Sequence, residues 1–419
     1  MSDKNKLPKY GLPPVVKFCK KCVISNQRPS STNEYFHHKD TKHITIDFND
    51  EGVCDACGFN EQKAQTIDWK ERENELLDLL DKHRSNDGSY DILVPGSGGK
   101  DSVFQAHILK YKYNMHPLTV TWSPHIYTEI GWQNFQNWLH LGGFDNYLFT
   151  PNPKIHGLLT KLAVENLLHP FQPFILGQKT FAPKMAEKFG LKLIMYGEPP
   201  GEYGYKSKVT DSKFTLKGSK KDGHSIDFTL GKDINDLYLG GVKISEIIND
   251  YKISIEELRP YLPMDPNIIQ DKKIEFHFLG YYLKWTPQEC YYYAVENTGF
   301  QANPERTEGT YSKYNSIDDR IDGFFYWTTF IKFGIGRATY DAAQEIRNHH
   351  LTREDGMALV NRFDGEFPKR YFKQVLEYMG MTEKRFWGLI DEFRSPHIWK
   401  NVTGKWKLRH TVNNDGTDD

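Results

Sequence analysis

Asp91-Ile92-Leu93-Val94-Pro95-Gly96-Ser97-Gly98-Gly99-Lys100-Asp101-Ser102 is an apolar run that passes through glycines into a helix-forming stretch. A strand, glycine loop and helix in that order point backbone N–H groups and a helix N-terminus at an anion. The spacing excludes a Walker loop, whose first glycine would stand at Val94, and a dinucleotide fingerprint, whose last glycine would stand at Asp101. Gly98 and Gly99 let the backbone approach phosphates closely, with Pro95 and Gly96 leading into them; Ser97 and Ser102 offer hydroxyls, and Lys100 is a point charge. Asp101 beside a polyphosphate makes sense with Mg²⁺ between the two anions. The plain alternative is a glycine-rich turn with no ligand.

Around this loop, short apolar runs alternate with amphipathic segments, the pattern of a parallel sheet covered by helices. The expected strands are Tyr90 to Val94, Pro117 to Trp122, Asn146 to Phe149, Lys192 to Tyr196 and Ile274 to Tyr282. A helix begins at Asp68, with Glu71 placed as in a capping box and Trp69, Leu76, Leu77 and Leu80 on one face. Downstream, Gly177-Gln178-Lys179 opens a helix from Ala182 to Phe189 capped by Gly190, and the fourth strand ends in Gly197-Glu198. Gly197 then lies at a strand C-terminus beside the first loop, where open α/β sheets bind ligands. Glu198 and Glu202 suit metal or acid–base work, with solvated surface positions as the even alternative. Thr121 and Trp122 end the second strand and could flank a base, although a tryptophan there is more often core. The lysine-rich stretch from Lys206 to Lys232 reads as a solvated loop, or less often as a cover over an anionic substrate.

Hydrophobic residues make up 38% of the 419 and charged residues 26%, with 54 Lys+Arg against 55 Asp+Glu. That balance argues against wholesale nucleic-acid binding, which needs a basic excess. No signal peptide or membrane-spanning run is evident, so a cytoplasmic location is expected. Four of five cysteines form two C-x-x-C knuckles, Cys19/Cys22 and Cys54/Cys57, around a loop from Val23 to Val53. Thiolates at that spacing can close a tetrahedron around structural Zn²⁺; an iron–sulfur cluster or unliganded thiols are the alternatives. A closed four-thiolate site has no open position, so its expected role is folding. After Thr286 the sequence reads helical, over Pro287 to Glu296, Ile321 to Lys332, Ala338 to Asn348, Arg353 to Phe363, Lys369 to Tyr378 and Thr382 to Phe393.

Ser97-Gly98-Gly99-Lys100-Asp101-Ser102 resembles the pyrophosphate loop of the PP-loop, N-type ATP pyrophosphatases, and the Gly177 to Glu202 stretch resembles the second half of that family's nucleotide site. The resemblance implies an α/β fold with a HUP-like parallel sheet over residues 66–286, a zinc-knuckle domain over 1–65 and a helical substrate or partner domain over 287–419. It implies ATP binding by Pro95 through Ser102, Thr121, Gln178, Lys179 and Gly197, with Lys100, Asp101, Glu198 and Glu202 as catalytic candidates. Together with the knuckles and the blocks His277 to Trp285, Glu308 to Tyr314, Lys332 to Thr339 and Ile346 to Glu354, the chain resembles the N-acetyl sugar amidotransferases of bacterial surface-polysaccharide and nonulosonic-acid synthesis. The activity this implies converts an acetamido group to an acetamidino group with ATP, Mg²⁺ and ammonia. Position 2 is Ser2, and Cys290 lacks the glycines of a nucleophile elbow, so the chain carries no recognisable glutaminase. A separate class I glutaminase subunit is implied as the ammonia source.

Thr310, Tyr311, Lys313, Lys332 and Arg337 are the candidates to hold the sugar, alongside Asp318, Asp319, Arg347 and Arg353; for most, an ion pair or helix cap is an equal alternative. Lys332 and Arg337 flank Gly334 and Gly336, an expected anion nest. His37, His38 and His43 are given no role, and the sequence does not decide between a monomer and a homo-oligomer. A tRNA-thiolating pyrophosphatase is the main rival, but it would need an exposed reactive thiol and only Cys290 is spare. A binding module with a degenerate nucleotide site is disfavoured by the intact Lys100, Asp101 and Ser102. Ammonia-dependent synthesis on a carboxylate or keto substrate remains open from the loop alone.

Overall fold

The computed structural model describes residues 7–30, 33–198, 202 and 233–414. The lysine-rich stretch read as a loop or cover, and most of the segment between Glu198 and its end, lie outside the described residues.

Among its described residues the N-terminal module is largely irregular, with a 3₁₀ turn at Glu34–Phe36 and one α-helix, α1 (Asp55–Thr66). The composition of this region shows little helical periodicity, yet Cys54 and Cys57 anchor the first turn of α1 to the knuckles, so tertiary fixing replaces amphipathicity. Helix α2 (Trp69–His83) follows, with the Asp68 carboxylate accepting from the Lys70 and Glu71 amides. Its Leu76 and Leu80 are fully buried, whereas Leu77 is 39% exposed and turns away from the expected face.

The central sheet has five parallel strands: β1 (Ile92–Pro95), β2 (Pro117–Trp122), β3 (Asn146–Phe149), β4 (Leu193–Tyr196) and β5 (Glu275–Phe278), in the order β3-β2-β1-β4-β5. Helix α3 (Lys100–Tyr111) joins β1 to β2, and α4 (Glu129–His140) joins β2 to β3. From β3 the chain returns through α5 (Pro153–Leu167) and α6 (Gln172–Phe189) to β4. The strand order therefore reverses between β1 and β4, which places a ligand crevice outside their carboxyl ends. Alternation decides the two cores: Ile92 and Val94 pack with Leu76, Leu80, Val103 and Trp138, while Leu93 packs with Leu118, Ala182, Ala186 and Ile194 on the opposite face.

Helices α7 (Ile244–Tyr251) and α8 (Pro266–Lys272), with a short helical turn at Ile255–Leu258 between them, precede β5. β5 stops at Phe278, and Leu279–Tyr282 forms a helical turn where the aromatic run reads as continued strand. The C-terminal helices are α9 (Pro287–Thr298), α10 (Asp322–Phe333), α11 (Arg337–Arg347), α12 (Arg353–Phe363), α13 (Phe372–Met379) and α14 (Glu383–Phe393). All six lie within a few residues of their expected spans. A hairpin that the sequence reading did not anticipate, β6 (Trp399–Val402) with β7 (Lys405–Leu408), ends the fold. Its turn uses Thr403 and Gly404, both at positive φ (48° and 83°), which sets the hairpin twist.

Helix α9 packs along α3 under the glycine loop, and Ile335 together with Ala342 and Ala343 of α11 packs on the cysteine knuckles. Arg353 at the start of α12 donates to the carbonyls of Cys19 and Cys22 at 3.1–3.4 Å, which fixes the first knuckle. That contact accounts for Arg353, a substrate candidate from sequence. Among the described residues no helix is long and apolar enough to cross a membrane.

Candidate active site

The loop between β1 and α3 is shaped by its glycines. Gly98 stands at φ +84°, and a Cβ there would lie 2.6 Å from the Phe135 Cα. A Cβ on Gly96 would lie 2.5 Å from the Ser102 Cβ. Gly99 differs, since its nearest neighbour would be the Ser97 Oγ at 3.5 Å, so the protein leaves room beside it. Ser102 ties the loop together: its hydroxyl accepts from the Ser97 and Gly98 amides at 3.3 and 3.2 Å and donates to the Gly99 carbonyl at 2.9 Å. Gly98→Ala is therefore expected to cost about 1–3 kcal/mol in urea unfolding, and Gly99→Ala less than about 1 kcal/mol. Equal costs for the two would overturn this account of the loop.

Lys100 is 7% exposed, and its Nζ lies 2.5 Å from Asp101 Oδ2. Burial alone would lower its ammonium, but Asp101 and then Glu198 outweigh burial and raise it above the ordinary value. The other Asp101 oxygen, Oδ1, is buried and accepts no hydrogen bond. An orphaned carboxylate oxygen beside a loop of backbone amides and a helix N-terminus fits a divalent cation such as Mg²⁺. Gly197 ends β4 as expected, against the Trp285 ring.

Lys100, Asp101 and Glu198 form one end of a cavity of about 410 Å³. The cavity is composite. Arg28, Glu34, His37 and His43 enter it from the loop between the knuckles, His169 from the turn before α6, and Lys332, Arg337 and Arg347 from the C-terminal helices. Glu34 Oε2 lies 2.9 Å from His37 Nδ1, and Glu34 Oε1 lies 3.6 Å from His169 Nε2. Burial would raise the Glu34 carboxyl, but the two imidazoles hold it well below the usual carboxylate range. Arg337 sits 3.1 Å from the Asp341 carboxylate and over the Tyr326 ring, and Thr310 donates to the same carboxylate at 2.6 Å.

Lys332 donates to the Leu167 carbonyl at 2.9 Å, and burial pushes its ammonium down to about 7 against the pull of Glu34. Between about pH 7 and the unfolded value near 10.5 the unfolded chain binds the extra proton, so stability rises with pH across that window. Lys332→Met should flatten that slope and raise stability at pH 7 by about 1–4 kcal/mol, read by urea unfolding at pH 7 and pH 10. A slope that survives the substitution would assign it to another group.

Other sequence candidates fall elsewhere. Glu202 pairs with the buried Lys63 of α1, and its carbonyl accepts from Arg347 at 3.3 Å, so it braces the N-terminal module. Tyr311 donates to Glu345 at 2.9 Å, and Lys313 donates to the Pro304 carbonyl at 2.9 Å; neither lines the cavity. Thr121 is buried in the sheet and accepts from Asn146 at 3.0 Å. Trp122 is core, packed on Phe149, Tyr261 and Phe181. Gly177 does not open a helix: α6 starts at Gln172, and a Cβ on Gly177 would lie 2.1 Å from the Trp122 ring, so this glycine admits the tryptophan. Gln178 and Lys179 are accordingly mid-helix, Gln178 exposed and Lys179 half-buried with its ammonium lowered by burial against Glu34. The expected anion nest at Gly334 to Gly336 is already filled, because the Asp364 carboxylate accepts from the Gly336 and Thr339 amides at 3.1 Å each. Asp318, half-buried beside the loop, has its carboxyl raised by desolvation against the Ser97 hydroxyl. Asp319 pairs with His125 at 2.7 Å.

The four knuckle thiols are buried and lie within 4.8 Å of one another. The Sγ atoms of Cys19 and Cys57 are 3.9 Å apart, and those of Cys22 and Cys54 are 3.7 Å apart. A tetrahedron with metal–sulfur bonds near 2.3 Å has edges of about 3.8 Å. The Lys21, Cys22 and Cys54 amides each donate to Cys19 Sγ at 3.4 Å, which supports a thiolate there. The donor set therefore fits a single metal ion.

Residues 308–413 match the family of the LPS biosynthesis protein WbpG-like, C-terminal domain. The WbpG-like region thus contributes Ser316, Lys332, Arg337 and Arg347 to the cavity that ends at Lys100. Among solved structures, the chain is similar to an NH3-dependent NAD synthetase from Campylobacter jejuni subsp. jejuni NCTC 11168, with 15% identity, TM-score 0.25, and coverage of 49% of this chain and 93% of that one. An NMN synthetase from Francisella tularensis has 15% identity, TM-score 0.26, and coverage of 57% and 89%. The U34-tRNA thiolase NcsA from Methanococcus maripaludis, solved with its [4Fe-4S] cluster, has 10% identity, TM-score 0.30, and coverage of 77% and 90%. No curated protein sequence matches the chain.

Proposed function

We propose that the chain is an AMP-forming amidotransferase that turns the acetamido group of an N-acetyl sugar, carried on a nucleotide, into an acetamidino group. The observation that supports this most is that one cavity joins the Ser97 to Ser102 phosphate loop, at the point where the sheet order reverses, to walls from the WbpG-like region. An amide oxygen is a poor leaving group, so it first attacks the α-phosphate of ATP. The bond from the α-phosphorus to the bridging oxygen breaks, pyrophosphate departs, and an O-adenylyl imidate forms. Ammonia then attacks the imidate carbon, the bond to the adenylyl oxygen breaks, and AMP leaves with an amidinium product.

In this reading Lys100 and the loop amides hold the departing pyrophosphate and stabilise the charge that develops on it. Asp101 would hold Mg²⁺, which when bound supplies charge neutralisation on the phosphates. Glu34, His37, Lys332 and Arg337 orient the acceptor at the far end, and the aromatic walls limit water near the imidate. The proposed units are residues 1–65, 66–286 and 287–419, with structural zinc in the first and the glutaminase a separate subunit. Sulfur transfer is disfavoured because all five cysteines are buried.

The test is mass spectrometry of a reaction containing the protein, ATP, Mg²⁺, ammonium and a panel of free and nucleotide-linked N-acetyl sugars. A sugar product lighter by about 1 Da, formed with AMP and pyrophosphate, is expected for exchange of O by NH. AMP without any change in the sugars would redirect the search to other acceptors, and ADP would overturn the reading of the loop.

A further inference from the structure

The pair between Asp319 and His125 belongs to a larger joint. Residues 125–128 leave the carboxyl end of β2, which neighbours β1 in the sheet, and residues 317–320 of the WbpG-like region run beside them through an antiparallel bridge between Tyr127 and Asp319. The Arg320 amide donates to the Ile126 carbonyl at 2.9 Å, and the Thr128 amide to the Asp318 carbonyl at 3.0 Å. The buried Asp319 carboxylate closes the joint. Its Oδ2 accepts from the His125 amide at 2.7 Å and lies 2.7 Å from His125 Nδ1, while Oδ1 accepts from the Ile126 and Ile321 amides at 3.3 and 3.0 Å. A carboxylate so fully engaged by its own chain fixes backbone and has no capacity left for a ligand.

The joint continues into α4. The Thr128 hydroxyl caps that helix by accepting from the Gly131 amide at 2.9 Å, and it donates to the Ile317 carbonyl. Gly131 admits no side chain, since a Cβ there would lie 2.4 Å from the Asp318 Cα. One turn on, the Asn134 side chain exchanges hydrogen bonds with the Gln301 backbone at 2.8 and 2.9 Å. The backbone of Asn134 and Phe135 is also what Gly98 rests on, with a Gly98 Cβ placed 3.2 Å from the Asn134 carbonyl oxygen and 2.6 Å from the Phe135 Cα. Helix α4 is thus held between the phosphate loop and the WbpG-like region, with a glycine at each contact. Close-packed contacts of this kind transmit a displacement and do not absorb it.

We infer that Asp319 is a positioning residue for the phosphate loop, acting through residues 125–128 and α4; the inference rests on the reading of Gly96 to Ser102 as a pyrophosphate site. The junction of β1 and α3 supplies the amides, and the WbpG-like region sets where the Gly98 amide stands. Amides that bind an oxyanion lose most of their effect when displaced by about 1 Å. The loop therefore binds pyrophosphate well only while Asp319 holds its joint closed.

The experiment measures binding of inorganic pyrophosphate and of ATP, each with Mg²⁺, to the full-length protein by calorimetry. Asp319→Asn sets an amide donor against a backbone amide and is expected to weaken pyrophosphate binding at least tenfold. Should that variant fail to fold, Thr128→Val decides: it keeps the side-chain shape, removes only the hydroxyl that joins Ile317 to α4, and is expected to weaken pyrophosphate at least threefold. Thr382→Val is the control. Thr382 caps α14 in the same manner, accepting from the Arg385 amide at 3.3 Å, so its loss should lower the thermal midpoint as much as Thr128→Val and leave pyrophosphate affinity within twofold. A loss under threefold in a folded joint variant would overturn the inference, and so would an equal loss in Thr382→Val, which would assign the effect to global stability. If the unaltered protein binds neither pyrophosphate nor ATP, the reading of the loop itself fails and the inference falls with it.

Discussion

Lys100→Met should lower AMP and pyrophosphate formation about 10³-fold, mostly in kcat, because the removed charge acts on a group that gains charge as the reaction proceeds. Lys100 is positioned for this by the fold. It is the first residue of α3, its stem is buried, and the Gly98 and Ser102 contacts fix the loop before it. In a site with low local dielectric a single ammonium is worth far more than on a surface. Methionine keeps the volume of the stem, so the core formed by α3 and α9 should persist. Asp101 loses its ion-pair partner in this variant, and a modest fall in thermal midpoint is expected. The measurement is chromatographic quantification of AMP at saturating ATP, with circular dichroism to verify the fold. A variant that keeps more than a tenth of the AMP yield would remove Lys100 from the reaction.

Stripping the knuckle metal is expected to have the second large effect, and a selective one. Structural zinc supplies roughly 10–16 kcal/mol in small domains, comparable to the whole stability of a typical domain. Without it the loop carrying Arg28, Glu34, His37 and His43 loses its anchor, and one wall of the cavity is lost with it. The phosphate loop belongs to the sheet and keeps its own supports. Treatment with a strong chelator, or Cys54→Ser, should therefore raise the KM for the acceptor more than tenfold while ATP binding survives within threefold. Elemental analysis should give one zinc per chain. Iron in its place would overturn the zinc assignment, and an unchanged acceptor KM in the stripped protein would remove the module from the site.

Residues whose roles are set by local chain geometry were legible in the sequence. The buried parallel strands read as apolar runs, Gly190 reads as a helix cap, and the two C-x-x-C pairs announce a shared site. The shape of the Gly96 to Ser102 loop was legible because its glycines and the Ser102 hydroxyl act on their own stretch of backbone. The far wall of the cavity was legible only in part, since Glu34, His37 and His169 come together only in three dimensions, and an isolated histidine or glutamate carries no period or spacing. Gly177 misled for a related reason: its partner, Trp122, is more than fifty residues away, so a packing glycine inside α6 looked like the start of a helix. Lys332 and Arg337 were found, but the nest proposed between them is closed by Asp364, a carboxylate that local sequence gives no cause to consider.

The two ends of the chain are joined. The Lys9 amide donates to the Ser395 hydroxyl at 2.9 Å, His397 meets Gln27 at 3.0 Å, and Arg353 clasps the carbonyls of Cys19 and Cys22. Contacts of such high sequence separation form late, because the intervening chain must be ordered before they close. On the ribosome, the first knuckle emerges long before Arg353 and the Ser395 to His397 segment that complete its surroundings. The first knuckle therefore spends most of synthesis without the contacts that complete its surroundings, and the N-terminal module closes only when the last helices arrive. Truncating the chain before Ser395 would then damage its beginning as much as its end.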